Sequence, residues 1–322
     1  MTVKEIGPQT NRSVYGKTIF EMAEADDRIV VLDADISKST TTTAFHKKYP
    51  HRALNVGVAE QNLVGMAAGL ACVGLKPYAS TFATFITMRA CEQIRTAVAY
   101  PHLDVKLIGV NSGVEIAGDG ATHQAIEDMA IMRSIPGMTV LCPSDPVSTR
   151  LATLALPGID GPVYMRLGRQ VSNVIHDENV SFLLGKMIRL REGNDVTIIA
   201  CGSMVEQALI AAGMLEQDGI GARVLDCHTI KPIDVEEIVL AAEQTAGIIT
   251  AEDHNIIGGL GGAVSEVTAE HAPAIVKRVG LQDIFARSGR DYKKLLEMYG
   301  ICASHIYDAA VEIMRRKAKS IK

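Results

Sequence analysis

Short, uninterrupted apolar runs alternate with longer segments of helical periodicity along nearly the whole chain. The runs rich in β-branched and aliphatic residues predict strands at residues 29–32, 105–110, 138–142, 163–167, 196–200, 222–226 and 247–251. The segments between them predict helices at residues 13–25, 60–72, 145–156, 204–216 and 234–244. Strands that are apolar throughout are typical of a parallel sheet covered on both faces by helices. The alternation therefore predicts an α/β fold.

The alternation is interrupted over residues 170–195, where the sequence becomes polar and irregular. A chain of 322 residues is long enough for two domains, since one domain takes about 150 residues. We therefore expect two doubly wound α/β domains, formed by residues 1–180 and 181–322.

Composition excludes several classes of protein. With 48% hydrophobic and 21% charged residues the chain is not disordered, and a net charge of −5 gives no general attraction to nucleic acid or anionic membranes. The longest apolar stretch, residues 63–75, is shorter than the ~20 residues of a membrane helix, and the N-terminus lacks the apolar core of a signal peptide. The six cysteines form no CxxC pair, so neither a zinc site nor a disulfide framework is indicated. We expect a soluble, cytoplasmic protein.

Glu60 and two phenylalanines lie where turns or strands lead into predicted helices. Glu60 begins a helix rich in small residues, where a carboxylate is also suited simply to complement the helix dipole. Phe82 and Phe85 are three residues apart and follow a predicted strand. Such a pair either belongs to the core or lines a ligand crevice at the carboxyl end of the sheet.

Polar residues also follow two later strands. Asp119 and His123 belong to the segment AGDGATHQ after residues 105–110, and Arg169 follows residues 163–167. Loops at these strand ends are where ligands bind in open α/β sheets. An Asp-Gly turn with a surface histidine, and an arginine paired with one of the acidic residues, are the structural alternatives.

Taken in order, these segments resemble the C-terminal half of transketolases. NVGVAEQN resembles the segment with the catalytic glutamate, STFATF the aromatic cofactor platform, DGATHQ the substrate loop and LGRQ the phosphate-binding arginine. The later segments EDHNIIGGLGGAV and YKKLLEMYGICASHI resemble the family's C-terminal domain. The resemblance covers essentially the whole chain and implies a thiamine-diphosphate enzyme that moves a two-carbon ketol unit between sugars. It also implies a pyrimidine-binding domain followed by a C-terminal domain.

The family's diphosphate-binding motif is a GDG followed by an asparagine about two dozen residues later. A GDG occurs at residues 118–120, but there is no asparagine between Asn111 and Asn173, and this GDG belongs to the DGATHQ loop. The resemblance therefore implies that a second subunit holds Mg²⁺ and the diphosphate, in an α₂β₂ assembly, and that this chain supplies no metal ligand.

The resemblance also implies roles for individual residues. Glu60 is expected to hold a proton toward the cofactor's pyrimidine, and His123 to carry protons for the substrate. The further cofactor-binding residues are expected to be Asp35, Ile36, Phe82 and Phe85. The substrate, a sugar phosphate, is expected to contact Asp119, His123, Arg169, Arg12 and Ser39.

The sequence departs from the family at two positions. Asn111 stands where transketolases usually carry a substrate-binding histidine, and Met88 where they carry an aromatic residue near the pyrimidine. The first departure puts in doubt whether the usual pentose and hexose phosphates are the substrates. The second departure weakens only one contact with the cofactor.

Three alternatives stay open at this point. The β subunit of a 2-oxo acid dehydrogenase has the same two-domain plan but usually lacks the DGxTHQ loop. A 1-deoxyxylulose-phosphate synthase-like enzyme shares GVAEQ and DGxTHQ but is normally one long chain. A non-catalytic binding module with this fold has no need for Glu60, Asp119 or His123.

Overall fold

A computed structural model describes residues 6–177 and 179–320. Its strands are β1 (Gln9–Thr10), β2 (Ile29–Asp33), β3 (Ala53–Asn55), β4 (Lys76–Phe82), β5 (Lys106–Val110), β6 (Thr139–Leu141), β7 (Val163–Leu167), β8 (Val171–Ser172), β9 (Ile188–Arg191), β10 (Val196–Ala200), β11 (Ala222–Asp226), β12 (Thr229–Lys231), β13 (Ile248–Asn255) and β14 (Val276–Leu281). Its α-helices are α1 (Asn11–Ala25), α2 (Ser37–Thr40), α3 (Thr43–Lys48), α4 (Glu60–Cys72), α5 (Ala83–Arg89), α6 (Cys91–Gln93), α7 (Asp128–Ser134), α8 (Pro146–Ala155), α9 (Met204–Gln217), α10 (Val235–Gln244), α11 (Leu260–His271), α12 (Tyr292–Met298) and α13 (Ala303–Ser320). A π-helical turn, Ile94–Ala99, continues α6.

The first sheet has seven strands in the order β12-β6-β7-β5-β4-β2-β3. Strands β2 to β7 of this sheet run parallel, and only β12 is antiparallel to its neighbour β6. Strands β2, β5 and β7 are buried along their whole length, which is why their sequences are mostly apolar. Their charged residues, Asp33, Lys106 and Arg166, are buried with hydrogen-bond partners. Helices pack on both faces and complete two apolar layers around the sheet.

The second sheet has five strands in the order β14-β13-β10-β11-β9. Three of its four pairings are parallel, and the fourth, between β9 and β11, is antiparallel. Helices α9 and α13 pack together on one face and share a core with strands β10, β11 and β13. Two parallel sheets covered by helices confirm the predicted α/β class.

The predicted strands and helices all form, with shifted ends in several cases. The prediction from residues 247–251 was too short, because β13 continues to Asn255 through Glu252, Asp253 and His254. These polar side chains remain buried because they have partners: the Glu252 carboxylate accepts hydrogen bonds from the amides of Leu260 and Gly261. The irregular stretch 170–195 contains the short strands β8 and β9.

One of the described strands, β12, crosses the predicted boundary at residue 180, and that boundary stays a proposal. Strand β12 follows that boundary in the sequence, yet it pairs with β6 in the first sheet. Strand β8 pairs with β1 in a separate two-stranded ribbon. No helix in the described ranges, 6–177 and 179–320, combines the length and the apolar character needed to cross a membrane.

Buried charged groups join the two sheets. Arg166 of β7 donates from Nε to Asp128 Oδ2 at 2.8 Å and from Nη2 to the carbonyl oxygen of Asp253 in β13 at 2.7 Å. His176 lies between Asp145 Oδ1 at 3.0 Å and Asp226 Oδ2 at 3.1 Å, and all three side chains are fully buried. Burial lowers the pKa of His176, but its hydrogen bonds to Asp145 and Asp226 outweigh burial and raise that pKa to about 9.

Candidate active site

Most of the predicted site residues lie at or beyond the carboxyl ends of parallel strands in the first sheet, whereas Arg12 lies in the first turn of α1. Because these ends share one edge of the sheet, the residues that follow them lie on the same side of the domain. They are Asp35 and Ile36 after β2, Glu60 after β3, Phe82 at the end of β4, Asn111 after β5 and Arg169 after β7.

Phe82, Phe85 and His123 form an aromatic cluster. The ring centres of Phe82 and Phe85 are 5.8 Å apart, and that of His123 lies 5.9 Å from Phe82 and 5.0 Å from Phe85. The rings meet edge to face, at interplanar angles of 69° to 76°. All three side chains are half-buried, so the cluster presents part of its apolar surface to solvent.

Glu60 begins α4, and its side chain is only 4% exposed. Arg89, at the end of α5, places Nη1 3.1 Å from Glu60 Oε2 and 3.3 Å from Oε1. The guanidinium carbon of Arg89 also lies 3.9 Å from the ring centre of Phe85. Sequence reasoning missed Arg89, although its position four residues after Phe85 on one helix was a usable signal.

Arg12, Arg169 and Arg290 line a cleft of about 420 Å³ beside the Asp119 loop. Arg12 Nη1 donates to the carbonyl oxygen of Ser39 at 3.1 Å and to Asn111 Oδ1 at 3.2 Å. Burial, and then the nearby charge of Arg169, lower the pKa of Arg12. The sequence predicted Arg12, Ser39 and Arg169 here, and Ser39 takes part through its backbone. Sequence reasoning missed Arg290, and no local pattern marked it.

The backbone conformation at position 111 favours asparagine. Its φ of 58° lies in the left-handed region, which asparagine tolerates better than most residues. In this conformation, directly after β5, its side-chain oxygen accepts the hydrogen bond from Arg12. Asn111 therefore helps to position an arginine of the cleft.

One loop connects the arginine cleft to the aromatic cluster. Asp119 Oδ2 lies 3.5 Å from Arg169 Nη1 at the cleft, whereas His123 belongs to the aromatic cluster. The Thr122 hydroxyl contacts His123 Nδ1 at 2.9 Å. The same loop contains Ala117 at φ 52°, a strained value for a residue with a side chain.

Asp35 and Ile36 make no hydrogen bond to the aromatic cluster in the described part of the chain. Asp35 instead pairs with Asn55, whose Nδ2 donates to Asp35 Oδ1 at 2.9 Å. The amide of Ile36 donates to Asp33 Oδ1 at 2.7 Å, and the Thr40 hydroxyl donates to Asp33 Oδ2. Burial raises the pKa of Asp33. Asp33, which sequence reasoning missed, fixes the loop that carries Asp35, Ile36 and Ser39.

Comparisons with known proteins agree with this architecture. The transketolase pyrimidine-binding domain matches residues 8–173, and the transketolase C-terminal domain matches residues 185–306. A 6-deoxy-6-sulfo-D-fructose transketolase subunit of Clostridium sp. (strain MSTE9) is 45% identical over 307 residues, which cover 95% of each chain. A putative transketolase C-terminal section of Methanocaldococcus jannaschii is 44% identical over 309 residues, covering 95% of this chain and 96% of the relative.

A solved structure described as a split gene transketolase, inactive β4 tetramer, is also similar. It superposes with a TM-score of 0.88 at 45% identity and covers 96% of this chain and 99% of its own. The predicted resemblance is confirmed, since both domains match and these relatives of similar length are transketolase sections or subunits. The chain therefore belongs to the transketolase family, as a transferase subunit that carries the pyrimidine-binding and C-terminal domains.

Proposed function

We propose that this chain binds the aminopyrimidine of thiamine diphosphate and works in the cytoplasm with a partner subunit that holds the diphosphate and Mg²⁺. Together they transfer a two-carbon ketol unit from a ketose phosphate to an aldose phosphate. The observation that carries this proposal is the buried Glu60 carboxyl, which Arg89 connects to the half-buried rings of Phe85 and Phe82.

The residues of this cluster fit an aminopyrimidine. A flat heteroaromatic ring needs apolar surface for its face and a hydrogen-bonding group for its ring nitrogen. Phe82 and Phe85 offer the first, and the Glu60 carboxyl offers the second. When bound, thiamine diphosphate supplies the carbon nucleophile that accepts the ketol unit.

Glu60 holds a proton toward the pyrimidine's ring nitrogen in this proposal. The Glu60 side chain is only 4% exposed, so water competes little for a hydrogen bond between this carboxyl and the ring nitrogen. Asp35 and Ile36 are proposed to lie near the cofactor's second ring, since they follow β2 at the same sheet edge.

The substrate is proposed to extend from the aromatic cluster to the arginine cleft. His123 moves a proton at the sugar carbonyl, and Asp119 accepts hydrogen bonds from sugar hydroxyls. Arg12 and Arg169, with Ser39, hold the distal anionic group, because guanidinium groups bind tetrahedral oxyanions in a fixed orientation. A phosphate has this chemistry, as does the sulfo group named for the Clostridium relative.

Reconstitution tests the proposal. The purified chain is expected to fold, to self-associate and to bind thiamine diphosphate with Mg²⁺ weakly in a calorimetric titration. Addition of a partner with a diphosphate-binding domain is expected to give an α₂β₂ complex, tight binding and ketol transfer from a ketose phosphate. Turnover of pyruvate with an electron acceptor, in place of ketol transfer, would favour a 2-oxo acid dehydrogenase instead.

A further inference from the structure

Arg290 is the one arginine of the cleft without a partner in residues 6–177 and 179–320. Arg12 donates to Ser39 and Asn111, and Arg169 donates to the carbonyl oxygen of Ile116 at 3.1 Å and contacts Asp119. Arg290 is exposed, lines the same cleft and makes no hydrogen bond or ion pair with the described residues. Its guanidinium donors are therefore available to a ligand.

The backbone next to Arg290 is attached to the Asp119 loop. The amide of Gly289 donates to the carbonyl oxygen of Ala117 at 3.1 Å, and Gln124 Nε2 donates to the carbonyl oxygen of Arg287 at 3.1 Å. Gly120, at φ 75°, packs so closely against Ser288 that a Cβ there would clash with its hydroxyl. These contacts fix the start of α12, which belongs to the second sheet's domain, at the edge of the cleft.

The charges of the cleft are unbalanced. Three guanidinium groups line the cleft with one carboxylate, that of Asp119. Burial, and then the charge of Arg169, lower the pKa of Arg12. A third arginine adds repulsion, which an anion between the three groups would offset. A phosphate at neutral pH carries a charge of about −1.5 to −2, which matches an excess of two positive charges.

We infer that Arg290 is a specificity-determining residue that binds the distal phosphate of the sugar together with Arg12 and Arg169. This inference rests on the proposed function and adds a contact from the C-terminal domain to the substrate site. The pyrimidine-binding domain supplies the other two arginines. The phosphate then bridges both domains, and its recognition depends on their relative placement.

Steady-state kinetics of the reconstituted complex test Arg290 directly. Arg290→Ala is expected to raise KM for a phosphorylated aldose about tenfold. This is the lower end of the effect expected when a charge-assisted hydrogen bond is lost, because the side chain is exposed. KM for the same aldose without phosphate, and kcat for both, are expected to stay near the wild-type values. Arg290→Lys is expected to restore part of the loss, since lysine keeps the charge but not the planar fork.

Arg287→Ala is the matched control. Arg287 is an exposed arginine of the same loop that does not line the arginine cleft. Its removal is expected to leave the ratio of the two KM values unchanged. Suppose that the wild-type complex prefers the phosphorylated aldose and that Arg290→Ala leaves the ratio of the two KM values unchanged. This result would overturn the role of Arg290 and leave the proposed function intact. A wild-type complex without that preference would instead contradict the proposed substrate class.

Binding of inorganic phosphate to the isolated subunit gives a readout that needs neither cofactor nor turnover. Thermal shift titration with phosphate is expected to stabilise the wild-type chain and the Arg287→Ala variant, and to stabilise Arg290→Ala only at roughly tenfold higher phosphate. Equal titration curves for wild type and Arg290→Ala would contradict the inference. An adventitious surface interaction predicts equal curves for all three proteins.

Discussion

The guanidinium of Arg89 covers the carboxylate of Glu60, at 3.1 Å from one oxygen and 3.3 Å from the other. The proposed role of Glu60 needs this carboxyl to face the pyrimidine's ring nitrogen, whereas here it faces the guanidinium of Arg89. Arg89 also lies over the ring of Phe85. It therefore contacts both groups that are proposed to bind the aminopyrimidine, the Glu60 carboxyl and the Phe85 ring. The pair is therefore expected to open when the pyrimidine enters.

Arg89→Met is expected to strengthen cofactor binding by the reconstituted complex. The Arg89 side chain is half-exposed, so breaking its ion pair with Glu60 costs about 0.5–1 kcal/mol. The wild type must break this pair to bind the cofactor and the variant need not, so the variant is expected to bind roughly two- to fivefold more tightly. Calorimetric titration with thiamine diphosphate measures the change, and Arg95→Met, an exposed arginine beyond the same helix, serves as the control. Weaker binding by Arg89→Met would show that Arg89 holds the bound cofactor or Glu60 in place.

Glu60→Gln is expected to leave the fold intact and to remove most ketol transfer. An amide can still form a hydrogen bond, but it cannot deliver a proton, and lost acid–base assistance typically costs about 10²–10⁴ in rate. Turnover numbers of the complex and melting curves of the variant subunit measure the two effects. Wild-type turnover by a folded Glu60→Gln complex would exclude the proposed role.

Arg169→Ala is expected to impair phosphorylated sugars selectively. Arg169 lines the arginine cleft and contacts Asp119, so its loss removes a charge-assisted contact worth ~1.5–3 kcal/mol, or roughly 10- to 100-fold in KM. Parallel KM measurements with phosphorylated and unphosphorylated sugars are the check. An equal effect on both classes would mean that Arg169 mainly holds the Asp119 loop in place.

The His176 cluster predicts a loss of stability at alkaline pH. Burial lowers the pKa of His176, but Asp145 and Asp226 raise it to about 9 in the folded chain, above the value of ~6.5 expected when unfolded. Because the folded pKa is the higher one, this stabilisation is complete below pH ~6.5 and is lost as the pH rises through about 9.

His176→Asn removes the titrating group and is expected to flatten this part of the pH profile. As the pH rises from ~6.5 through 9, the wild-type chain should lose about 3 kcal/mol of unfolding free energy relative to the variant, because the pKa of His176 rises from ~6.5 to about 9 on folding. Urea unfolding at several pH values measures the difference. Parallel profiles for the two proteins would show that His176 is not charged in the folded state.

The sequence predicted which of these residues lie beside strands and helices, because it predicted the elements themselves although not all of their ends. Arg169 follows the buried strand β7, which its apolar run reveals directly, and Glu60 begins α4, which its helical periodicity reveals. Local patterns also place Asp119 and His123 on one loop.

Contacts between distant segments could not be predicted in this way. Arg290 lies at the cleft because its segment is hydrogen-bonded to a loop far away in the sequence, through Gly289 to Ala117 and Arg287 to Gln124. Strand β12 has three residues and precedes a proline, so its sequence does not distinguish it from a loop until β6 pairs with it. The pairing of Arg89 with Glu60 likewise depends on how α4 and α5 pack.

Strand β12 has a consequence for how the chain can be divided. A fragment that ends at residue 180 lacks Thr229–Lys231, so β6 becomes an edge strand with one side unpaired. The unpaired backbone groups of an edge strand can pair with another chain, so such a fragment should aggregate. In the intact chain, β12 covers this edge of β6. With a strand and two buried charge clusters shared between them, the two halves should melt in one cooperative transition.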